Sequence, residues 1–298
     1  MKKHIQISNK EIQYTSHCRG QAQRDMLYDS LKHPFEDIRM DWKTLWKSGL
    51  LKRLPEQEVQ DAINDPNIPY WIDVKVKEDI TGPIGTTSSI HYGDDFSINE
   101  TVATNQFIAS MCGYVPSSLE DQTLATMISE TCHIEICIPL CAATNGMQRP
   151  KRAASALVTR FTNPKDKTIM YGPMTFVLQR LEKLYHKNSG SPFMVGNKIT
   201  HADFWIYEAI EAIRHICEHS GKDGKTLHSL LFDPIPGLMG LHKRIGERPN
   251  MKKYIASGER PKWLTGTGIA AVNLGRYQDF VKACVELIQK RLGVHGKL

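Results

Sequence analysis

Apolar residues recur along this chain with two different periods, and the change of period divides the sequence in two. Up to about residue 112, segments in which apolar and polar residues alternate stand beside segments of helical period, a mixture typical of an α/β unit. From Leu119 onward the apolar residues recur every three or four positions, which predicts helices alone. The connector 113–118 contains Pro116 and two serines, and it is the expected domain boundary.

The first unit is predicted to alternate strands with helices. The alternating segments predict strands at 10–16, 34–40, 70–76 and 88–92, and the helical segments predict helices at 19–32, 41–48 and 101–112. Turn residues fill 77–95 on both sides of the last strand. Asn99 or Thr101 is expected to cap the helix 101–112, because a side-chain oxygen at that place can accept a backbone N–H.

The second unit is predicted to consist of helices at 119–144, 153–163, 172–187, 200–219, 236–247, 249–257 and 270–292. Its most distinctive helix start is Thr200, because Asp203 stands three residues on, where its carboxylate can accept the Thr200 N–H in a reciprocal cap. An apolar run from Phe204 to Ile216 follows, so the cap is expected inside the protein. Asp203 is therefore predicted to be structural rather than catalytic.

Composition narrows the class of protein. The chain has 298 residues, 41% hydrophobic and 23% charged, which are globular values. A net charge of +6 is spread along it, which argues against a nucleic-acid partner and suits anionic small molecules. The sequence has no run of about 18 apolar residues, so we expect no membrane span. The N-terminal lysines are not followed by an apolar segment, so we expect no signal peptide. Seven cysteines without paired spacing predict reduced core residues in a cytoplasmic protein.

Several motifs carry a resemblance to a known family. The string Gly-x-x-x-Thr-x-Ala-Asp-Phe at 196–204 resembles the signature of the helical domain of cytosolic glutathione S-transferases. The run from Tyr14 through Arg19-Gly20-Gln21-Ala22-Gln23 is similar to the Tyr…Arg-Gly-Arg-Ala-Glu opening of the sigma class, which includes prostaglandin D synthases and S-crystallins. Further matches in the same order are Pro66-Asn67-Ile68-Pro69 with the cis-proline loop, Glu100-Thr101-x-Ala103 with Gln-Ser-x-Ala, Cys132-His133-Ile134-Glu135 with Cys-His-x-Asp, and 249–255 with the closing proline helix.

This resemblance covers about residues 10–260 and implies a fold. A thioredoxin-like α/β domain at 1–112 would bind glutathione, with an insertion at about 77–95, and an all-α domain would occupy 119–262. An extension helix would fill 263–298. The resemblance also implies a cytoplasmic homodimer. The acidic cluster that some sigma-class members carry on the first long helix is replaced by Pro139, Ala142 and Ala143, so no metal site is expected.

A glutathione transferase must stabilise a thiolate whose unperturbed pKa is about 8.5. The resemblance gives this role to Tyr14, whose hydroxyl would donate a hydrogen bond to the sulfur. The spacing from Tyr14 to Gly20 is one residue longer than usual in the family, so Thr15 and Ser16 remain alternatives. Cys18, before a helix start, is a further alternative that would form a mixed disulfide.

The rest of the glutathione site is also assigned through the resemblance. Ile68 would pair its backbone with the tripeptide if Pro69 is cis, and Thr101, at a helix N-terminus, would bind the γ-glutamyl carboxylate. Glu100 would face the γ-glutamyl ammonium group. Trp42 and Lys47 are expected at the glycine end, although a core or surface role suits them nearly as well, and Arg19 completes the set.

Three functions stay open at this point. The expected one is conjugation of glutathione to a small hydrophobic electrophile, as in detoxification, and a glutathione-dependent isomerase would use the same site. A non-catalytic, crystallin-like binding protein is the third. His215-Ile216-Cys217-Glu218-His219 has the His-x-x-Glu-His spacing of a zinc site, but we expect it to be a histidine-rich helix end, which the helix dipole favours.

Overall fold

The computed structural model describes residues 12–16, 21–32, 35–39, 89–92, 96–98, 100–140, 154, 161–162, 169–171, 174–188, 190–260 and 274–292. The predicted elements at 41–48 and 70–76 lie outside the described residues. None of the helices in the described ranges is long and apolar enough to cross a membrane.

A four-stranded mixed sheet forms the first unit. Its strands are β1 (Ile12–Ser16), β2 (Phe35–Arg39), β3 (Ser89–Tyr92) and β4 (Phe96–Ile98), in the order β2-β1-β3-β4. β1 is central; it runs parallel to β2 and antiparallel to β3, and β4 pairs antiparallel with β3. The strands predicted at 10–16, 34–40 and 88–92 are confirmed. β4 was not predicted, because three residues are too few for an alternating pattern to be recognised.

Two helices of the first unit flank this sheet. They are α1 (Gln21–Ser30), which follows β1, and α2 (Thr101–Cys112), which follows β4, and both confirm predicted helices. α1 packs against α2, and α2 contacts β3. Glu100, rather than Asn99 or Thr101, stands at the N-cap position of α2, so the predicted cap is wrong.

The second unit is mainly helical. Its helices are α3 (Leu119–Cys132), α4 (Met174–Lys187), α5 (His201–Glu218), α6 (Gly221–Phe232), α7 (Pro236–Gly246), α8 (Pro249–Ser257) and α9 (Leu274–Leu292). A π-helical stretch, His133–Cys137, continues α3. α5 lies at the centre, where it packs against α3, α6, α7 and α1.

Two predictions for this unit are corrected. β5 (Phe161–Thr162) and β6 (Ile169–Tyr171) form a two-stranded antiparallel sheet, so the unit is not all-α and the helix predicted at 153–163 is wrong at its end. α6 was not predicted, because glycines and charged residues dominate its first turn and hide the helical period.

The predicted cap of α5 is confirmed. Asp203 is fully buried, and its carboxylate accepts the Thr200 N–H at 2.7 Å and the Thr200 hydroxyl at 3.1 Å. Its other oxygen accepts the N–H of Met194 at 2.8 Å, which ties the loop before the helix to the helix start. Burial raises the pKa of Asp203 to about 6, and these hydrogen bonds act against that rise.

A second buried carboxylate plays the same part between two helices. Glu182, on α4, accepts the N–H groups of Gly237 at 2.7 Å and Leu238 at 2.8 Å in the first turn of α7. A carboxylate at a helix N-terminus satisfies donors that have no partner within the helix. A Cβ at Gly237 would lie 2.7 Å from the Tyr185 ring, so this close approach requires glycine.

We expect Asp203→Ala to lower the free energy of unfolding by about 3 kcal/mol or more, because it leaves three buried donors without an acceptor. Asp203→Asn keeps one acceptor oxygen and should lose less. Urea unfolding followed by circular dichroism measures both. The matched control is Asp223→Ala, in the first turn of α6 and only partly buried, which should cost no more than about 1 kcal/mol. Equal losses at the two positions would contradict a structural role for the Asp203 cap.

Candidate functional site

The start of α2, just beyond the end of β4, is the most unusual backbone in the described part of the first unit. Glu100 has φ 73° and ψ 136°, a positive φ that is rare for any residue other than glycine. Such backbone strain persists only where neighbouring groups enforce it, and it is concentrated at functional sites. The Glu100 side chain is exposed, so the strain does not serve to bury it.

The next residue, Thr101, is buried and begins the helix. The N–H groups of a first helical turn have no partner within the helix and lie at the positive end of its dipole, so such a start favours an anion. The exposed Glu100 carboxylate therefore favours a cation, and the helix start at the next residue, Thr101, favours an anion. This pairing suits a zwitterionic ligand, one with a carboxylate beside an ammonium group.

The candidate thiol-binding residues lie on the central strand of the same sheet. Tyr14 pairs in register with Asp37 of β2 and with Ile90 of β3. Thr15 and Ser16 follow it on β1, so all three candidate hydroxyl residues belong to one strand end. β3 connects them to the start of α2, since it pairs with β1 on one side and with β4 on the other.

Of the predicted glutathione-binding residues, the structure brings Glu100 and Thr101 together at one helix start and places Tyr14 on the central strand. The remaining predicted residues lie outside the described residues: Cys18, Arg19, Trp42, Lys47, Ile68 and Pro69.

The chain is similar to glutathione S-transferases in three kinds of comparison. Residues 154–258 match the family model of the glutathione S-transferase C-terminal domain. A class-mu 26 kDa glutathione S-transferase of Fasciola hepatica is 23% identical over 198 residues, which are 66% of this chain and 67% of the relative. A glutathione S-transferase P of Caenorhabditis elegans is 34% identical over 79 residues, 26% of this chain and 33% of that protein.

Among solved structures, that of a prostaglandin synthase D of Nilaparvata lugens aligns with 84% of this chain and 99% of its own, with a TM-score of 0.52 and 14% sequence identity. At that identity the likeness concerns the fold. These findings support a place in the cytosolic glutathione S-transferase superfamily.

The helical unit of this glutathione S-transferase fold contains a buried polar cluster that the sequence analysis missed. It consists of Asn105 on α2, Ser129 on α3, and His201 and Trp205 on α5, all buried. His201 Nδ1 lies 2.7 Å from the Ser129 hydroxyl and 3.2 Å from the Asn105 amide nitrogen. The Trp205 indole N–H donates to the Asn105 side-chain oxygen at 2.8 Å. The cluster joins the α2 of the first unit to the centre of the second.

Polar residues at helical spacing in apolar segments were the available signal for this cluster. Asn105 stands one turn after Thr101, and His201 is the first residue of a largely buried helix that begins with the run Phe204–Tyr207 after its cap. Burial lowers the pKa of His201 to about 4, because charging an imidazole away from water is unfavourable.

The zinc hypothesis at the end of α5 can be compared with the geometry. The rings of His215 and His219 lie 4.3 Å apart between centroids, and His219 Nδ1 lies 2.7 Å from the His215 carbonyl oxygen. Within the described ranges, no group of three or more His, Cys, Asp or Glu side chains is arranged to hold a metal ion. Five cysteines in these ranges are free and buried, Cys112, Cys132, Cys137, Cys217 and Cys284.

His201 gives a testable dependence of stability on pH. Its pKa is about 4 in the folded chain and 6.5 ordinarily, so folding favours the neutral ring. The stabilisation is complete above pH 6.5 and is lost as pH falls toward 4, by about 3 kcal/mol in total. Asp203 changes stability in the opposite direction, because its raised pKa makes its ionised form the less favourable one.

We therefore expect His201→Gln, which cannot titrate, to flatten the fall in unfolding free energy between pH 6.5 and 4. Unfolding curves of both proteins at several pH values provide the measurement, and their difference removes the contribution of Asp203. Parallel pH dependences for the two proteins would show that the His201 ring is not the group responsible.

Proposed function

We propose that this chain is a cytoplasmic glutathione S-transferase that conjugates the thiolate of glutathione to a small hydrophobic electrophile. The observation that carries the proposal is the start of α2, where the positive φ of Glu100 precedes the buried Thr101. The γ-glutamyl end of glutathione bears a carboxylate next to an ammonium group, which is the pairing this helix start suits. The described strands around it support a thioredoxin-like glutathione domain.

In this proposal the described residues have distinct roles. The Thr101 N–H and hydroxyl bind the γ-glutamyl carboxylate, and the Glu100 carboxylate binds the ammonium group. Tyr14 donates a hydrogen bond to the sulfur, which lowers the pKa of the bound thiol and provides a nucleophile at neutral pH.

The other assigned residues would contact the remainder of the tripeptide. Ile68 and Pro69 present backbone groups to the cysteinyl segment, and Trp42 and Lys47 hold the glycine end, Lys47 by its charge. Arg19 is a further glutathione-binding residue. The first long helix predicted at 119–144 and the tail at 263–298 are the parts expected to shape the second-substrate pocket, and the insertion at about 77–95 is a further candidate.

A homodimer is part of the proposal. Four exposed apolar side chains lie on consecutive elements at the junction of the two units: Phe96 on β4, Val102 on α2, Met127 on α3 and Ile134 in the π-helical stretch. α2 and α3 are neighbours, because Gln106 donates to the Thr126 hydroxyl at 2.7 Å. A second copy that covers these side chains would remove their apolar surface from water, and light scattering after gel filtration tests for the dimer.

Glutathione-affinity resin and a model aryl halide separate the three functions left open by the sequence. We expect retention on the resin, elution by free glutathione, and conjugation of the aryl halide. Retention without conjugation or isomerisation would favour a crystallin-like binding protein, and isomerisation alone would favour a glutathione-dependent isomerase. Failure to bind glutathione would refute both enzymes.

We expect Tyr14→Phe to raise the pKa of bound glutathione and to lower turnover by about ten- to a thousandfold, the effect of one lost hydrogen-bond donor at a reacting anion. Ultraviolet absorbance of the bound thiolate as a function of pH measures the pKa, and steady-state kinetics measure turnover. Ser16→Ala, two residues along β1, is the control and should leave both unchanged. If Tyr14→Phe changes neither the pKa nor turnover and Ser16→Ala lowers turnover, Ser16 rather than Tyr14 is the hydrogen-bond donor to the sulfur.

A further inference from the structure

The strained conformation of Glu100 must be enforced by groups outside that residue. A positive φ in a residue with a Cβ is unfavourable, and it persists where surrounding contacts leave no alternative. Two contacts from α2 converge on the Glu100 carbonyl oxygen. This oxygen lies between the Glu100 carboxylate and the first turn of α2, which are the two parts of the candidate γ-glutamyl site. Holding the oxygen in place therefore positions both parts.

Thr104 holds this oxygen twice. Its backbone N–H donates to Glu100 O at 2.9 Å, as the first turn of a helix requires. Its hydroxyl has one hydrogen, which it donates to the same oxygen at 2.8 Å; the Thr101 carbonyl oxygen is the more distant acceptor, at 3.1 Å. Thr104 is completely buried, so water does not compete for the hydroxyl. Two donors on this oxygen restrict the orientation of the peptide group between Glu100 and Thr101. The restriction is stronger than the one that the Thr104 N–H would give by itself.

Gln23 in turn holds Thr104 from another element. Gln23 lies on α1 and is completely buried. Its amide nitrogen donates to the Thr104 hydroxyl oxygen at 3.0 Å and to the Thr101 carbonyl oxygen at 2.9 Å. A side-chain amide has two N–H donors, and here two acceptors in the first turn of α2 lie within reach of it.

An amide suits this place better than a carboxylate. The sigma-class opening that resembles residues 14–23 has Glu where this chain has Gln23. An ionised carboxylate only accepts hydrogen bonds, and the Thr101 carbonyl oxygen is itself an acceptor. Gln23 therefore donates to the Thr101 carbonyl oxygen as a carboxylate could not, and Thr104 links Gln23 to the Glu100 carbonyl oxygen.

We propose that Gln23 and Thr104 are positioning residues for glutathione, which hold the Glu100 carbonyl and the first turn of α2 in the binding conformation before the ligand arrives. This inference rests on the proposed function, since it concerns the same site. A site organised in advance saves the ordering cost of binding, so the two residues should affect affinity for glutathione rather than the chemical step. Neither residue touches the reacting thiol in this scheme.

The expected result for Gln23→Met and for Thr104→Val is a KM for glutathione raised about five- to thirtyfold, because each removes two buried hydrogen bonds and part of their loss is offset by relaxation of the helix start. The kcat and the KM for the electrophile should stay within about twofold, because the thiol donor lies on β1. Thr104→Ser keeps the hydroxyl and should restore the KM. If Gln23→Met does not fold, Gln23→Asn serves, because its amide is one methylene too short to reach Thr104.

Thr126→Val is a matched control on the neighbouring helix. The Thr126 hydroxyl donates to a carbonyl four residues back, that of Gln122, at 2.9 Å, and accepts from a glutamine, Gln106, at 2.7 Å. The same bonding pattern is thus removed without touching Glu100. A Thr126→Val that raises the KM for glutathione as much as Thr104→Val, or a Thr104→Val within twofold of the parent protein, would overturn the proposal.

Amide hydrogen exchange separates this proposal from the proposed function. The Thr104 N–H, which donates to Glu100 O, should exchange at least about fivefold faster in Gln23→Met than in the parent protein or in Thr126→Val, with no ligand present. If the parent protein fails to bind glutathione but shows this difference, the proposed function is wrong and the holding of Glu100 stands. If glutathione binds and the exchange does not change, the positioning role is wrong.

Discussion

The placement of α1 depends on two buried carboxylates that pair with arginines from the end of the helical unit. Asp25 receives two hydrogen bonds from Arg260, at 3.0 and 2.9 Å, and Asp29 receives Arg248 at 2.9 Å on both of its oxygens. Removing one partner of such a pair leaves a buried charge that nothing compensates, which costs far more than the pair itself contributes. These pairs therefore fix the orientation of α1 more than they add to stability. Gln23 lies on the same helix and contacts the start of α2. The position of the candidate site therefore depends on arginines more than two hundred positions away in sequence.

Arg260 shows how one cation organises several elements. It contacts Glu208 at 2.8 Å, lies over the Tyr207 ring at 5.1 Å, and approaches Glu211 at 3.8 Å. Burial by itself raises the pKa of Glu211, but the hydrogen bond from His242 and the charges of Arg260, His242 and Arg214 outweigh it and lower that pKa to about 2. Burial raises the pKa of Glu208 well above its usual range against the attraction of Arg260. The Arg260 guanidinium thus joins α1 to α5. The two carboxylates beside it on α5 differ, because the pKa of Glu208 is raised and that of Glu211 is lowered.

Local chemistry explains which parts of this fold could be predicted. The start of α5 was predictable because the two residues that form its cap, Thr200 and Asp203, are only three positions apart in the sequence. α6 was hidden by Gly221 and Gly224, yet packing requires the second glycine, because a Cβ there would lie 1.9 Å from the Cys217 carbonyl oxygen. A residue that weakens a helical pattern can therefore be one that the tertiary structure demands. The strands β5 and β6 have two and three residues, too few for either period to be distinguished.

The candidate site was predictable only as far as its residue types. Thr101 and its place at a helix start follow from the motif, whereas the positive φ of Glu100 does not, because sequence preference alone would put glycine there. The first turn of α2 is held by Gln23, which is 78 positions from Thr101, and no local pattern marks such a pairing. The same helix is held at its next turn, where Asn105 accepts the Trp205 indole N–H. α2 is thus held by α1 at its start and by α5 one turn later, so contacts from two distant parts of the chain position the helix start that the motif predicted.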